Sequence, residues 1–122
     1  MRTSSIRSYL TALRASSRFG RALKLQRKGR TQEALRVARG TVYLLRAPHI
    51  VRDNPAEASL LLNLTVMIEH LAGELRQPGA DLVDLHDSVR FLETLAESKD
   101  NTVRERRAEW LPYLQGVLKQ RQ

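Results

Sequence analysis

Along the chain, apolar residues recur at helical spacing, and the interruptions fall on glycine, proline and capping residues. This pattern predicts five helices. The first runs from about Thr3 to Lys28, with Ser4 and Ser5 as caps and Gly29 as the C-terminal stop. Ile6, Tyr9, Leu10 and Leu13 share one face, whereas Phe19 and Leu23 point elsewhere, so Gly20 after Ser16 and Ser17 leaves two readings open, one helix over about 3–28 or a break within it. The second starts at Thr31 as N-cap, carries Leu35, Ala38, Val42 and Leu45 on its apolar stripe, and ends near Arg46 before Pro48. The third opens on the Asn54-Pro55 cap and first position and reaches about Gln77. Leu60, Leu64, Met67, Ile68, Leu71 and Leu75 form its main face, and Leu61, Leu62 and Val66 widen that face toward burial all round. It is the expected central helix.

Pro78-Gly79 closes the third helix and Asp81 opens the fourth, where Leu82, Leu85, Val89, Leu92 and Ala96 follow the period and Asp84, Asp87 and Glu93 lie off it. Asp100 and Asn101 cap the fifth, which uses Val103, Trp110, Leu111, Leu114, Val117 and Leu118. Pro112 lies inside it and predicts a bend or break, because its ring crowds the carbonyl four residues back. Period-two alternation is absent over any useful length. With 122 residues, 20 Leu and 12 Ala against 8 Val and 3 Ile, the chain is expected to form a single all-α domain over residues 1–122. Short connections make successive helices antiparallel neighbours, giving a helical bundle or stacked helical hairpins of four to five helices.

At the first turn, the run Gly29-Arg30-Thr31-Gln32-Glu33-Ala34-Leu35 resembles the hairpin turn of tetratricopeptide repeats. In that family a glycine closes one helix and a small alanine five residues on lets the next approach closely. The resemblance implies a helix-turn-helix unit and, by analogy, a scaffold that binds proteins or peptides. It covers one turn. Arg18, Arg21, Ala22 and Thr41 depart from the repeat's preferred residues, and Asp84 stands where a second copy would need alanine.

Charge changes the picture next. The net charge is +8, and 9 of the 21 cations but none of the 13 acids precede Glu33. Such a field attracts phosphates, anionic lipid or an acidic protein. Arg7, Arg14, Arg18 and Arg21 lie within about sixty degrees of one another on a helix and form the candidate binding stripe. An acid-free, arginine- and serine-rich start also reads like an organellar transit peptide. A chain beginning at Met1, with no uninterrupted apolar h-region, is expected in the cytoplasm.

Catalytic signals are sparse. There is no cysteine, and His49, His70 and His86 have no second histidine at metal-sharing spacing, so no thiolate or zinc chemistry and no cofactor is expected. His86 with Asp84 and Asp87 is read as a solvated acidic face, and no phosphate-binding glycine loop or nucleophile motif occurs. The expected function is therefore a non-enzymatic protein-protein interaction module with a basic N-terminal face for an acidic partner. The alternative is nucleic-acid binding by the arginine stripe, ahead of a membrane-surface role for Ile6, Tyr9, Leu10 and Leu13. Tyr43, Trp110 and Tyr113 are candidate anchors, with Trp110 read first as core, and the apolar third helix leaves self-association open.

The central-helix assignment has a direct test. Leu64→Asp should cost about 4 kcal/mol or more and abolish cooperative unfolding, because a carboxylate would be buried without a partner. Circular dichroism through thermal denaturation reads the outcome, and a native-like melt would contradict the assignment.

Overall fold

The structure is a computed structural model and describes residues 2–46 and 55–121. The described residues form five α-helices and no strand: α1 (Arg2–Arg27), α2 (Thr31–Leu44), α3 (Pro55–Leu75), α4 (Leu82–Thr94) and α5 (Asn101–Arg121). Each helix packs chiefly against the next one in the chain. Hydrogen bonds between helices show how neighbours run. Gln77, two residues past α3, donates to Gln32 at the start of α2, and Arg107 early in α5 donates to the Leu92 carbonyl late in α4. Both pairs are antiparallel. The protein is thus an all-α stack of helices with α3 in the middle.

Burial explains that order. α3 sits between α2 and α4, so Leu61, Leu62, Leu64, Val66, Met67, Ile68 and Leu71 are all buried although they point in every direction around the helix. Single-sided burial would have needed only one stripe. α2 contributes Ala34, Leu35, Ala38 and Val42, α4 contributes Leu85, Val89 and Leu92, and α5 closes the far end with Leu114 and Leu118. Trp110 is half-buried against the same core, as its core reading requires.

Several boundaries differ from the sequence expectation. α1 is continuous through Gly20, since one glycine costs a helix only about 1 kcal/mol and Ala15, Phe19, Ala22 and Leu23 pack on the core on both sides of it. α5 likewise runs unbroken through Pro112, with Leu114 still buried. Thr31 is the first helical residue of α2 and Arg30 occupies the cap position, so the threonine cap does not form. Asp100 does cap α5, its Oδ1 accepting the amides of Thr102 at 2.9 Å and Val103 at 3.2 Å. Asn54, Pro48 and His49 lie outside the described residues.

Two helices end the same way on different residues. At the end of α1, Gly29 takes a φ of 77°, and the Arg30 amide donates to the Leu25 carbonyl at 2.9 Å. At the end of α3, Arg76 takes a φ of 55°, and the Gln77 amide donates to the Ala72 carbonyl at 2.9 Å. Both are Schellman closures, which place the residue after the helix in the left-handed region. That region costs a residue with a Cβ about 1 kcal/mol. Arg76→Gly should therefore stabilise the protein by about 0.5 to 1 kcal/mol, whereas Gly29→Ala should destabilise it by about 1 kcal/mol. Denaturant midpoints of the two variants should move in opposite directions.

Candidate functional site

The arginine stripe and the apolar face of α1 both lie on the surface. Arg7, Arg14, Arg18 and Arg21 are exposed, and none has an ion-pair partner among the described residues. Arg7 and Arg21 are fourteen positions apart, which spreads the stripe along about 21 Å of helix. Beside it, Ile6, Tyr9, Leu10 and Leu13 are 59%, 64%, 57% and 49% exposed. Their burial against the bundle, allowed by the sequence, does not occur.

Helix length supplies the reason. α1 has 26 residues and α2 only 14, so α2, folding back along α1, covers little more than its C-terminal half. Ala15, Ala22 and Leu25 are buried there, with Phe19 and Leu23 packed partly beneath. At about 100° per residue, that buried face and the Ile6–Leu13 strip lie on nearly opposite sides of the helix. α1 therefore has an inward face in its C-terminal half and an outward apolar strip in its N-terminal half, with the arginines along one edge of the strip. A row of cations beside apolar side chains can attract an anionic surface and then bury area against it.

The other sequence candidates are dispersed. Tyr43 is exposed on α2, and Tyr113 on α5 is partly exposed with its ring 5.3 Å from that of His70. Partial burial raises the Tyr113 hydroxyl above the usual tyrosine range, Glu69 adding to that shift and Arg121 opposing it. Trp110 carries the Arg106 guanidinium 5.1 Å from its ring centroid. No three metal-ligating side chains come together among the described residues.

A second polar constellation was not legible in the sequence. Glu69 is buried in α3, where its carboxylate accepts the Ala80 amide at 2.6 Å and the Arg121 guanidinium at 2.8 Å. Arg121 also donates to the Ala80 carbonyl at 2.8 Å, and Arg39 of α2 reaches the carbonyls of Pro78 and Gly79. Asp84, expected off the apolar stripe and solvated, is instead buried and accepts from Arg46 at 3.0 Å. Hydrogen bonds to Asp81 and then Asp84 hold the Arg46 guanidinium above its ordinary range. These groups fasten the loop between α3 and α4 to α2 and α5. Glu69 and Asp84 are each paired with an arginine and Arg39 is held by two carbonyls, so the constellation reads as a brace.

The chain matches no protein-family model, no curated protein and no solved structure. No described helix is long and apolar enough to cross a membrane.

Gly79 tests the brace. A Cβ there would overlap the Glu69 carboxylate and the Arg121 guanidinium. Gly79→Ala should cost about 2 kcal/mol, because the buried carboxylate would move out of alignment with its donors. An Arg121→Ala background should absorb part of that loss in a double-mutant cycle, and strictly additive effects would argue against a shared network.

Proposed function

We propose that this protein is a non-enzymatic helical interaction module that holds an acidic protein partner on the outer face of α1. One observation carries the reading: the arginine stripe, without an ion-pair partner among the described residues, lies alongside an exposed apolar strip on the same helix. Cations alone suit a phosphate backbone equally well, and apolar side chains alone suit any greasy surface. Their combination favours a protein, because aliphatic and aromatic residues contribute through burial while the arginines speed encounter and select sign. The setting of this reading is cytoplasmic. The helix-stack scaffold implied by the tetratricopeptide-like turn is compatible with it.

Two variants of the full chain separate this from nucleic-acid binding. The first replaces Arg7, Arg14, Arg18 and Arg21 with Gln; the second replaces Leu10 and Leu13 with Ser. Both should keep the helical melt of wild type, because the altered side chains are exposed. Binding is measured at several ionic strengths to a Glu-rich amphipathic helical peptide and to mixed-sequence duplex nucleic acid. The proposal expects the four-Gln variant to associate with the peptide at least ten-fold more slowly and the Ser variant to dissociate from it faster. If nucleic acid is the partner instead, the wild type should prefer the duplex and the Ser variant should bind it normally. The four-Gln variant would then flatten the salt dependence by about 0.9 in logarithmic slope for each phosphate it no longer neutralises.

A further inference from the structure

Between the outward strip of α1 and the first turn of α3 lies a cleft of about 250 Å³, walled by Tyr9, Leu13 and Ser16 on one side and Ala56, Glu57 and Leu60 on the other. Its lining is apolar apart from Ser16 and Glu57. Glu57 is only 8% exposed, and its Oε2 accepts no hydrogen bond from any described residue. This differs from Glu69 and Asp84, the other two buried acids among the described residues, whose carboxylates are held by Arg121 and Arg46. The position in the first turn of α3 favours a negative side chain, because the unpaired helix amides point toward it. Even so, a carboxylate oxygen out of water and without a donor is costly, and a cation entering the cleft would remove that cost. The wall beside it is suited to the same guest. A Tyr9 ring attracts a guanidinium or ammonium, and Leu13 and Leu60 can cover a methylene stem.

We infer that this cleft receives one arginine or lysine side chain of the bound protein, its head on the Glu57 carboxylate and its stem between Tyr9, Leu13 and Leu60. The inference rests on the protein-binding reading above and adds to it a specificity determinant: an acidic partner with a single basic anchor. Charge pattern supports that occupant. At about 100° per residue, Tyr9, Leu13 and Ser16 lie on the side of α1 away from Arg7, Arg14 and Arg18, so a basic residue can meet Glu57 without facing the stripe, while an acidic flank of the same partner reaches the arginines across the exposed strip. Tyr9 and Leu13 belong to both the strip and the cleft, which makes the two surfaces continuous.

The test uses small probes that bypass the arginine stripe. The full chain, isotopically labelled, is titrated with butylguanidinium chloride, and with butanol and sodium butyrate at matched ionic strength. Expected are saturable amide shifts confined to residues 9–16 and 56–61 for butylguanidinium, with butanol and butyrate at least ten-fold weaker. Glu57→Gln should reduce butylguanidinium binding at least ten-fold while leaving the free protein as stable as wild type or more so, since it removes an unpaired buried charge. The four-Gln variant should bind the probe at least as well as wild type, because the cations it lacks repel the probe. Equal binding of butanol, unchanged binding by Glu57→Gln, or shifts elsewhere would overturn the inference; so would a large loss of stability in Glu57→Gln, which would make the carboxylate structural. Should that variant not fold, the wild-type shift map and the butanol comparison decide alone. Failure of the acidic peptide to bind, with the probe still seated at Glu57, would sink the wider function and leave the cleft standing.

Discussion

Everything in this protein is arranged around the burial of α3 on more than one side. A helix whose Leu61, Leu62, Leu64, Ile68 and Leu71 are all removed from water needs a neighbour on each flank, and α2 and α4 are those neighbours. At about 25 cal/mol per Å² of apolar surface, two-sided burial contributes more than any other single element of the fold. The order of helices follows from it. α1 packs outside α2, α5 outside α4, and the chain needs no long crossover because the main packed pairs are consecutive in sequence.

Placing α3 so deeply creates a second requirement. Glu69 and Thr65 are polar groups on a helix with little solvent nearby, and each is satisfied in a different way. Thr65 donates to the Leu61 carbonyl at 2.7 Å within its own helix. Glu69 instead draws in the Ala80 amide and Arg121 from the last turn of α5, so that a buried charge ties the end of the chain to its middle. Removing one partner of such a pair costs more than the pair itself contributes, because a desolvated charge is left behind. The brace therefore specifies the position of the loop between α3 and α4 more than it strengthens the core. Gly79 is required there by lack of room, whereas Gly29 is required by backbone conformation.

Function is drawn from the part of the molecule that this packing leaves uncovered. α1 outruns α2, and the overhang exposes apolar side chains along an arginine edge. The same overhang forms one wall of the cleft at Glu57. A surface of this kind can be maintained because its cations keep copies of the protein apart while leaving the strip open to a partner of opposite sign. The strip and its side of the cleft are thus consequences of one difference in helix length, and the arginines lie along the same helix.

The five helices, their approximate ends at Gly29, Pro78 and Asp100, the deep burial of α3 and the acid-free character of α1 were all present in the linear order of residues. Helical periodicity, end signals and charge segregation are local properties, and a window of a few turns contains them. Local information did not decide whether Gly20 and Pro112 would interrupt their helices, because the outcome depends on packing along the whole helix. Nor could it say which face of α1 would be covered. Ile6, Tyr9, Leu10 and Leu13 have the spacing of a buried stripe, and only the length of α2 leaves them in water. Asp84 reads as a solvated acid, and Glu69 as an unremarkable one, until Arg46 and Arg121 arrive from 38 and 52 residues away. Glu57 reads as an ordinary first-turn acid until α1 closes over it. In each case a side chain's periodic position was a property of its own helix, and its exposure and partners were properties of another segment, distant in the chain, that only the folded arrangement brings alongside.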